Sequence, residues 1–159
     1  YMGVDVIDAL APWLVKGKSV YVVWVTSNAS AKEIQLTNFP DLASQVMDKY
    51  RNWSLEKNCE KQVGYVLGAT IAEEFVGSNF DNVPLLLPGL GAQGADLSKI
   101  PEAIRKSDIN LFPMSRGLSL IGLQEFDKAL ESVSSWEDYE NLVAKNYQKV
   151  SASYKSAFC

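Results

Sequence analysis

The chain has 159 residues, of which 47% are hydrophobic and 21% charged, a composition typical of a folded globular domain and not of a disordered segment. Its formal net charge of −4 excludes nucleic-acid binding through a broad basic surface. The absence of histidine excludes Ser-His-Asp and Cys-His catalysis and removes the commonest zinc ligand.

The first half of the chain alternates helix and strand patterns. Apolar residues at helical spacing predict a helix over residues 4–14, which Pro12 weakens and Gly17 ends. The continuous β-branched and aromatic run 19–25 predicts a strand buried on both faces, as in a parallel sheet. A one-sided apolar pattern predicts a second helix over residues 41–58, with Pro40 in its first turn.

The second half repeats the alternation with shorter elements. A strand is predicted over residues 62–67, followed by a helix that begins at Ile71 and is capped by Thr70. Ser134 or Ser135 is expected to cap the last helix. The remaining predicted elements are strands over 83–87 and 109–114 and helices over 97–106, 116–120 and about 135–154.

Strands that alternate with helices indicate an α/β fold with a parallel sheet and right-handed crossovers. Two architectures fit this order: an open doubly wound sheet, or part of a (β/α)8 barrel of which four units are present. We expect one domain over residues 1–159. In either architecture, binding sites lie at the carboxyl ends of the strands.

A glycine-rich loop, residues 88–94, follows the third predicted strand. Gly91 and Gly94 permit a close backbone approach to a ligand, and the Gln93 amide can donate to a phosphate oxygen or a base edge. A plain connector is the alternative. A dinucleotide site fits poorly, because the acidic residue at the expected distance, Asp108, precedes the next strand.

Arg116 follows the fourth predicted strand, between Ser115 and Gly117. Its guanidinium fork matches phosphate geometry, and a helix start adds N–H donors. The alternative is a solvated arginine, or one paired with a carboxylate such as Asp96. Since the loops after the last two strands of a barrel frequently build a phosphate site, Gln93 and Arg116 would converge on one phosphate there.

A polar loop of Thr26, Ser27 and Asn28 follows the first predicted strand. Its hydroxyl and amide groups can read the polar edge of a heterocycle. The same residue types also suit a plain turn or a helix cap, and the segment alone does not decide between the two roles.

Four segments in this order resemble the orotidine 5′-phosphate decarboxylase family, most closely its longer bacterial and protist-type branch: residues 26–28, 66–70, 88–96 and 115–117. Residues 1–5 resemble the end of the family's fourth strand. The resemblance implies the C-terminal half, strands 5–8, of a TIM-type (β/α)8 barrel. It also implies conversion of orotidine monophosphate to UMP and CO2 in pyrimidine biosynthesis, without a metal or organic cofactor.

The resemblance also implies roles for individual residues. The glycine loop closes over the substrate, and phosphate binding drives the closure. The implied phosphate-binding set is Gln93, Arg116, Gly91, Gly94 and Gly117, and the implied base-binding set is Thr26, Ser27 and Asn28.

The family's chemistry depends on an Asp-x-Lys-x-x-Asp arrangement, which the 159 residues lack. We therefore predict no catalytic residue in this chain and no decarboxylation by the chain alone. Further departures are Ala29 in place of the usual proline and Pro113 in the approach to Arg116.

Three interpretations remain open. The first is half of a decarboxylase, a fragment or split subunit whose barrel is completed by an N-terminal half or a second chain. The start Tyr1-Met2-Gly3 would suit a fragment or a processed product. The second is a non-catalytic degenerate barrel acting as a structural or assembly subunit, and the third is an unrelated phosphosugar or nucleotide-binding barrel enzyme.

The sequence also yields expectations about partners and location. We expect an oligomer that binds a nucleoside monophosphate, orotidine monophosphate or UMP, and no nucleic acid. No apolar run reaches the roughly 18 residues of a membrane-spanning helix. Cys59 and Cys159 form no CxxC pair, so we expect free thiols in the cytoplasm or another reducing intracellular compartment.

Overall fold

The structure, a computed structural model, describes residues 2–37, 41–91, 93–105, 109–119 and 127–158. Several residues that carry sequence-based expectations lie outside these ranges: Tyr1, Pro40, Lys106, Asp108, Leu120 and Cys159.

Four parallel strands form one sheet, and each strand pairs with the next one along the chain. This sequential order has no reversal point of the kind that a doubly wound sheet contains, and it matches a stretch of barrel wall. The α/β fold built from parallel (β/α) units is thereby confirmed. The strands are β1 (Val20–Val25), β2 (Val63–Leu67), β3 (Leu85–Leu86) and β4 (Asn110–Leu111).

Two long helices follow their sequence signals closely. The third α-helix begins behind Asp41, whose side chain accepts a hydrogen bond from the Ser44 N–H at 2.7 Å. The last one is capped by Ser135, whose Oγ accepts from the Asp138 N–H at 3.1 Å. The α-helices are α1 (Asp5–Leu14), α2 (Lys32–Gln35), α3 (Leu42–Glu56), α4 (Glu102–Arg105), α5 (Arg116–Ser119), α6 (Asp127–Glu131) and α7 (Trp136–Phe158).

The helix predicted from Ile71 with Thr70 as its cap is wrong. A 3₁₀ helix, Ala69–Phe75, stands there instead, and Gly68 at its start makes no side-chain cap. The Ala69 N–H is already bonded to the Pro88 carbonyl at 2.8 Å, which continues the sheet pairing past the end of β2. The Thr70 hydroxyl instead donates to the Ser27 carbonyl at 3.3 Å.

Prolines shorten the elements of the second half. β3 and β4 contain two residues each, where five and six were predicted. Pro84, Pro88 and Pro113 flank these strands and cannot donate a ladder hydrogen bond. The helix predicted over 97–106 is likewise interrupted at Pro101, and a 3₁₀ helix, Leu97–Lys99, precedes α4.

One face of the sheet packs against the helices. Trp24 is buried there, and its indole N–H donates to the Ala43 carbonyl in α3 at 2.7 Å. Its ring contacts those of Tyr65, Phe75 and Phe80. This aromatic cluster packs β1 and β2 against the helical layer.

The opposite face carries an apolar row, which we call the inner row: Val23, Val66, Leu86 and Leu111, paired in register across all four strands. Val23 is 56% exposed and Leu111 is 47% exposed. The prediction that the first strand is buried on both faces is therefore wrong at Val23. In a closed barrel this face lines the interior.

None of the helices in the described ranges combines the length and apolar character that crossing a membrane requires.

Candidate functional site

A cavity of about 400 Å³ lies at the carboxyl ends of β3 and β4. It brings together the glycine loop and the segment around Arg116, as the order of the strands predicts. Gly117 lines it too, whereas Gly91 and Gly94 shape the loop without lining the cavity. The lining residues are Pro88, Gly89, Leu90, Gln93, Pro113, Met114, Ser115, Arg116 and Gly117.

The glycines of the loop are required by its backbone. Gly89, Gly91 and Gly94 have φ angles of +120°, +72° and +78°, in the left-handed region that other residues rarely adopt. The Gly94 N–H closes a turn on the Gly91 carbonyl at 2.8 Å, and the Ala95 N–H bonds to the Gly89 carbonyl at 3.1 Å. The loop is therefore a defined turn that presents Gln93.

Gln93 is exposed, and its carbonyl oxygen Oε1 accepts a hydrogen bond from the Ser27 hydroxyl at 3.2 Å. Once the oxygen is engaged, the side-chain NH2 is the polar group left to meet a ligand. An NH2 group donates to a phosphate oxygen, whereas a carbonyl oxygen repels it. The contact also joins the loop after β1 to the loop after β3.

Arg116 is exposed and makes no ion pair with any residue that the structure describes. Its alternative partner, Asp96, caps the 3₁₀ helix by accepting from the Ser98 N–H at 2.9 Å and from the Ser98 hydroxyl at 2.7 Å. These hydrogen bonds lower the pKa of Asp96 below its usual range. The guanidinium is thus available to a ligand in the cavity.

Side chains of α7 donate hydrogen bonds to the turn that carries Arg116. The Asn146 side-chain NH2 donates to the Gly117 carbonyl at 2.6 Å and to the Leu118 carbonyl at 3.2 Å. The Tyr139 hydroxyl donates to the Ser119 carbonyl at 2.8 Å. Sequence reasoning missed the role of Asn146, although an amide on the apolar stripe of a helix is a signal that could have found it.

The three residues of the expected base-binding set have different surroundings. Ser27 contacts Gln93 across the two loops. Thr26 donates its hydroxyl to the Asn28 side chain, and its N–H donates to Gln35 Oε1 at 3.0 Å. Asn28 also donates to the Ser30 hydroxyl at 3.2 Å. Thr26 and Asn28 therefore bond within the loop and, through Gln35, to α2, while Ser27 reaches the cavity-lining Gln93.

Within the described ranges, no group of three or more His, Cys, Asp or Glu side chains is placed to hold a metal ion.

No protein-family model matches the chain. It is 36% identical over 114 residues to the orotidine 5′-phosphate decarboxylase of Ralstonia nicotianae, a match that covers 68% of this chain and 40% of the relative. The enzyme of the same name from Bordetella petrii is 32% identical over 117 residues, with 67% and 40% covered. The chain belongs to the orotidine 5′-phosphate decarboxylase family. It spans about two fifths of the length of these relatives.

Two solved structures agree with the fold. An orotidine-monophosphate-decarboxylase structure from Toxoplasma gondii superposes with a TM-score of 0.54 at 25% identity, covering 88% of this chain and 56% of that one. UMP synthase from Leishmania donovani gives a TM-score of 0.55 at 25% identity, covering 88% and 31%. The partial coverage fits the C-terminal half of a TIM-type barrel, and bacterial and protist proteins both appear among the matches, as the resemblance implies.

Proposed function

We propose that this chain is the phosphate- and base-binding half of an orotidine 5′-phosphate decarboxylase, and that its cavity takes the 5′-phosphate of orotidine monophosphate or UMP. The observation that carries the proposal is that Gln93 and Arg116 line one cavity while Ser27 is bonded to Gln93. The names of the curated relatives supply the nucleotide.

Each group has a chemical role in this proposal. Arg116 binds two phosphate oxygens through its guanidinium fork, and the Gln93 NH2 donates to a third. Gly117, directly after Arg116, has no space for a larger side chain, since a Cβ there would lie 2.9 Å from the Met114 sulfur. Ser27 stands at the boundary between the phosphate and the base, where a hydroxyl can serve either.

Catalysis needs more than this half supplies. The Asp-x-Lys-x-x-Asp arrangement is absent from the sequence, so we propose that the chain alone binds nucleotide but does not decarboxylate it. Phosphate binding by this half would nevertheless contribute to the reaction, because binding energy from a remote group can be used at the reacting carbon.

A complementary half of the barrel is the partner that this proposal requires. The inner row is apolar and partly exposed at Val23 and Leu111, and β1 and β4 are the outer strands of the sheet. Four further parallel strands would cover the inner row and pair with both edges. We propose that an N-terminal half or a second chain supplies these strands together with the catalytic charges.

A second candidate function is a non-catalytic barrel that serves as a structural or assembly subunit. Pro113 and Met114 line the cavity beside Arg116, and the catalytic motif is absent, which favours this alternative. This alternative predicts that the cavity does not distinguish a phosphorylated nucleoside from an unphosphorylated one. Measurements of nucleotide binding therefore discriminate between the two candidate functions.

The deciding experiment compares UMP with uridine by calorimetry. Wild-type chain is expected to bind UMP more tightly, and Arg116→Ala is expected to weaken UMP by about 1.5–3 kcal/mol while leaving uridine unchanged. Arg51→Ala, which removes an exposed arginine from α3, is the matched control. Equal weakening of both ligands would remove Arg116 from the phosphate role, and equal affinities in the wild type would refute the proposed function.

Release of CO2 from orotidine monophosphate is the companion assay. Activity of the purified chain above background would contradict the inactivity of this half. Activity that appears only with a polypeptide carrying Asp-x-Lys-x-x-Asp would support the split site.

A further inference from the structure

Asn146 is buried within α7, at 9% exposure, and it does not line the cavity. Its side chain nevertheless contacts the backbone directly behind Arg116, through the carbonyls of Gly117 and Leu118. We propose that Asn146, assisted by Tyr139, is a positioning residue that fixes Arg116 for phosphate binding. The inference rests on the proposed function of the cavity.

The length of α5 explains why such a residue is needed. The last carbonyls of a helix have no partner within the helix, and α5 is only four residues long. An amide NH2 has two hydrogens, and here they meet two successive carbonyls at 2.6 Å and 3.2 Å. The Tyr139 hydroxyl bonds to the next one, that of Ser119. Three consecutive carbonyls of this turn are thus tied to α7.

The other side of the turn packs against the glycine loop. A Cβ at Gly117 would lie 2.9 Å from the Met114 sulfur and 3.6 Å from the Gly91 Cα. The turn is therefore confined between the glycine loop and α7. Since Gly117 follows Arg116 directly, a shift of its carbonyl moves the Arg116 backbone with it.

No ion pair with another described residue fixes the Arg116 side chain. Its placement against the cavity follows from the backbone that carries it, and that backbone is set by Asn146 and Tyr139. Loss of these hydrogen bonds should therefore weaken phosphate binding selectively. A purely structural role would lower the stability of the chain without changing its preference for the phosphorylated ligand.

The test measures UMP and uridine dissociation constants for the full chain carrying Asn146→Leu or Asn146→Asp. Each is expected to reduce the UMP-to-uridine affinity ratio about tenfold with uridine affinity unchanged, because neither side chain can donate to the carbonyls. Tyr139→Phe, which removes one hydroxyl, is expected to reduce the ratio about two- to threefold. This effect is comparable to the net contribution of one hydrogen bond that is exchanged with water.

The control is Tyr50→Phe, which deletes the hydrogen bond from the Tyr50 hydroxyl to the Met2 carbonyl, in another part of the fold. It is expected to leave the ratio unchanged. If Asn146→Leu does not fold, Asn146→Asp and Tyr139→Phe decide the question. A lowered unfolding midpoint with an unchanged ratio overturns the inference. A wild-type chain without preference for UMP refutes the proposed function itself. If the wild type prefers UMP and the variants retain that preference, only the positioning role of Asn146 is refuted.

Discussion

The hydroxyl of Ser27 donates a hydrogen bond to Oε1 of Gln93 at 3.2 Å and joins two loops that lie 66 residues apart in the sequence. Through it, the loop after β1 sets the orientation of the amide that faces the cavity. The hydrogen bond therefore connects the expected base-contacting segment to the expected phosphate-contacting segment.

A double-mutant cycle on UMP binding tests this connection. Ser27→Ala is expected to weaken binding because the Gln93 amide loses its fixed orientation, and Gln93→Ala is expected to weaken it more because the donor itself is lost. The two effects should be non-additive, with a coupling of about 0.5–1 kcal/mol for an exposed hydrogen bond. Ser30→Ala, whose hydroxyl accepts from Asn28 and makes no contact with Gln93 in the described residues, is the control. Strict additivity would argue against the coupling.

Gly68 offers a test of how closely the loop that carries Ser27 packs against the end of β2. A Cβ there would lie 2.7 Å from the backbone N and 2.8 Å from the Cα of Ser27, atoms that cannot rotate away. Gly68→Ala should therefore displace the Ser27 loop or destabilise the fold by about 2–3 kcal/mol in urea unfolding.

Gly117→Ala is the matched comparison, because the atom it meets belongs to a flexible methionine side chain. We expect it to cost about 1 kcal/mol, near the lower limit for overpacking. Equal costs at the two positions would contradict this difference between a backbone obstacle and a side-chain obstacle.

The inner row predicts association of the chain in the absence of a partner. Val23→Lys and Leu111→Lys should each reduce self-association in sedimentation velocity experiments, since a charge on this face opposes its burial. Val76→Lys is the control, because Val76 is 76% exposed but lies outside the row. If Val76→Lys were as effective as the row variants, the association would not depend on this face.

Asp138 predicts a pH dependence at the start of α7. Hydrogen bonds from Ser134 and Ser135 lower its pKa below the ordinary value of 3.8. Because the folded-state pKa is lowered, the stabilisation is present above the ordinary value and is lost as the pH falls through the lowered one. A carboxyl titration by NMR should give the lowered pKa, and Ser134→Ala with Ser135→Ala should return it towards 3.8. An unchanged pKa in that double variant would contradict the assignment.

The sequence predicts the long elements well because their signals are local. The continuous apolar run of β1 and the one-sided stripes of α3 and α7 each carry their own pattern. The extent of β3 and β4 depends on which backbone groups find partners on a neighbouring strand. Prolines beside both strands reduce that number, and their effect becomes visible only once the pairing is known.

The site was predictable to the extent that topology determines it. Parallel strands place Gln93 and Arg116 at one edge of the sheet, and the structure places both in one cavity. The hydrogen bonds of Thr26 and Asn28 were not predictable, because an amide and a hydroxyl two residues apart suit a ligand and a local turn equally well. The contact between Asn146 and Gly117 spans 29 residues and depends on how α7 docks.

Because β3 and β4 are short, we expect this edge of the sheet to unfold locally before β1 and β2 do. This edge is joined by few backbone hydrogen bonds, among them Leu85 N–H to the Ile109 carbonyl at 2.9 Å and Leu87 N–H to the Leu111 carbonyl at 2.8 Å, whereas β1 and β2 pair over five positions. Amide exchange protection should accordingly decline from β2 towards β4, so the cavity sits in the part of the sheet that unfolds locally at the lowest free energy. A ligand that bridges the loops after β3 and β4 would suppress that opening and stabilise the edge by mass action.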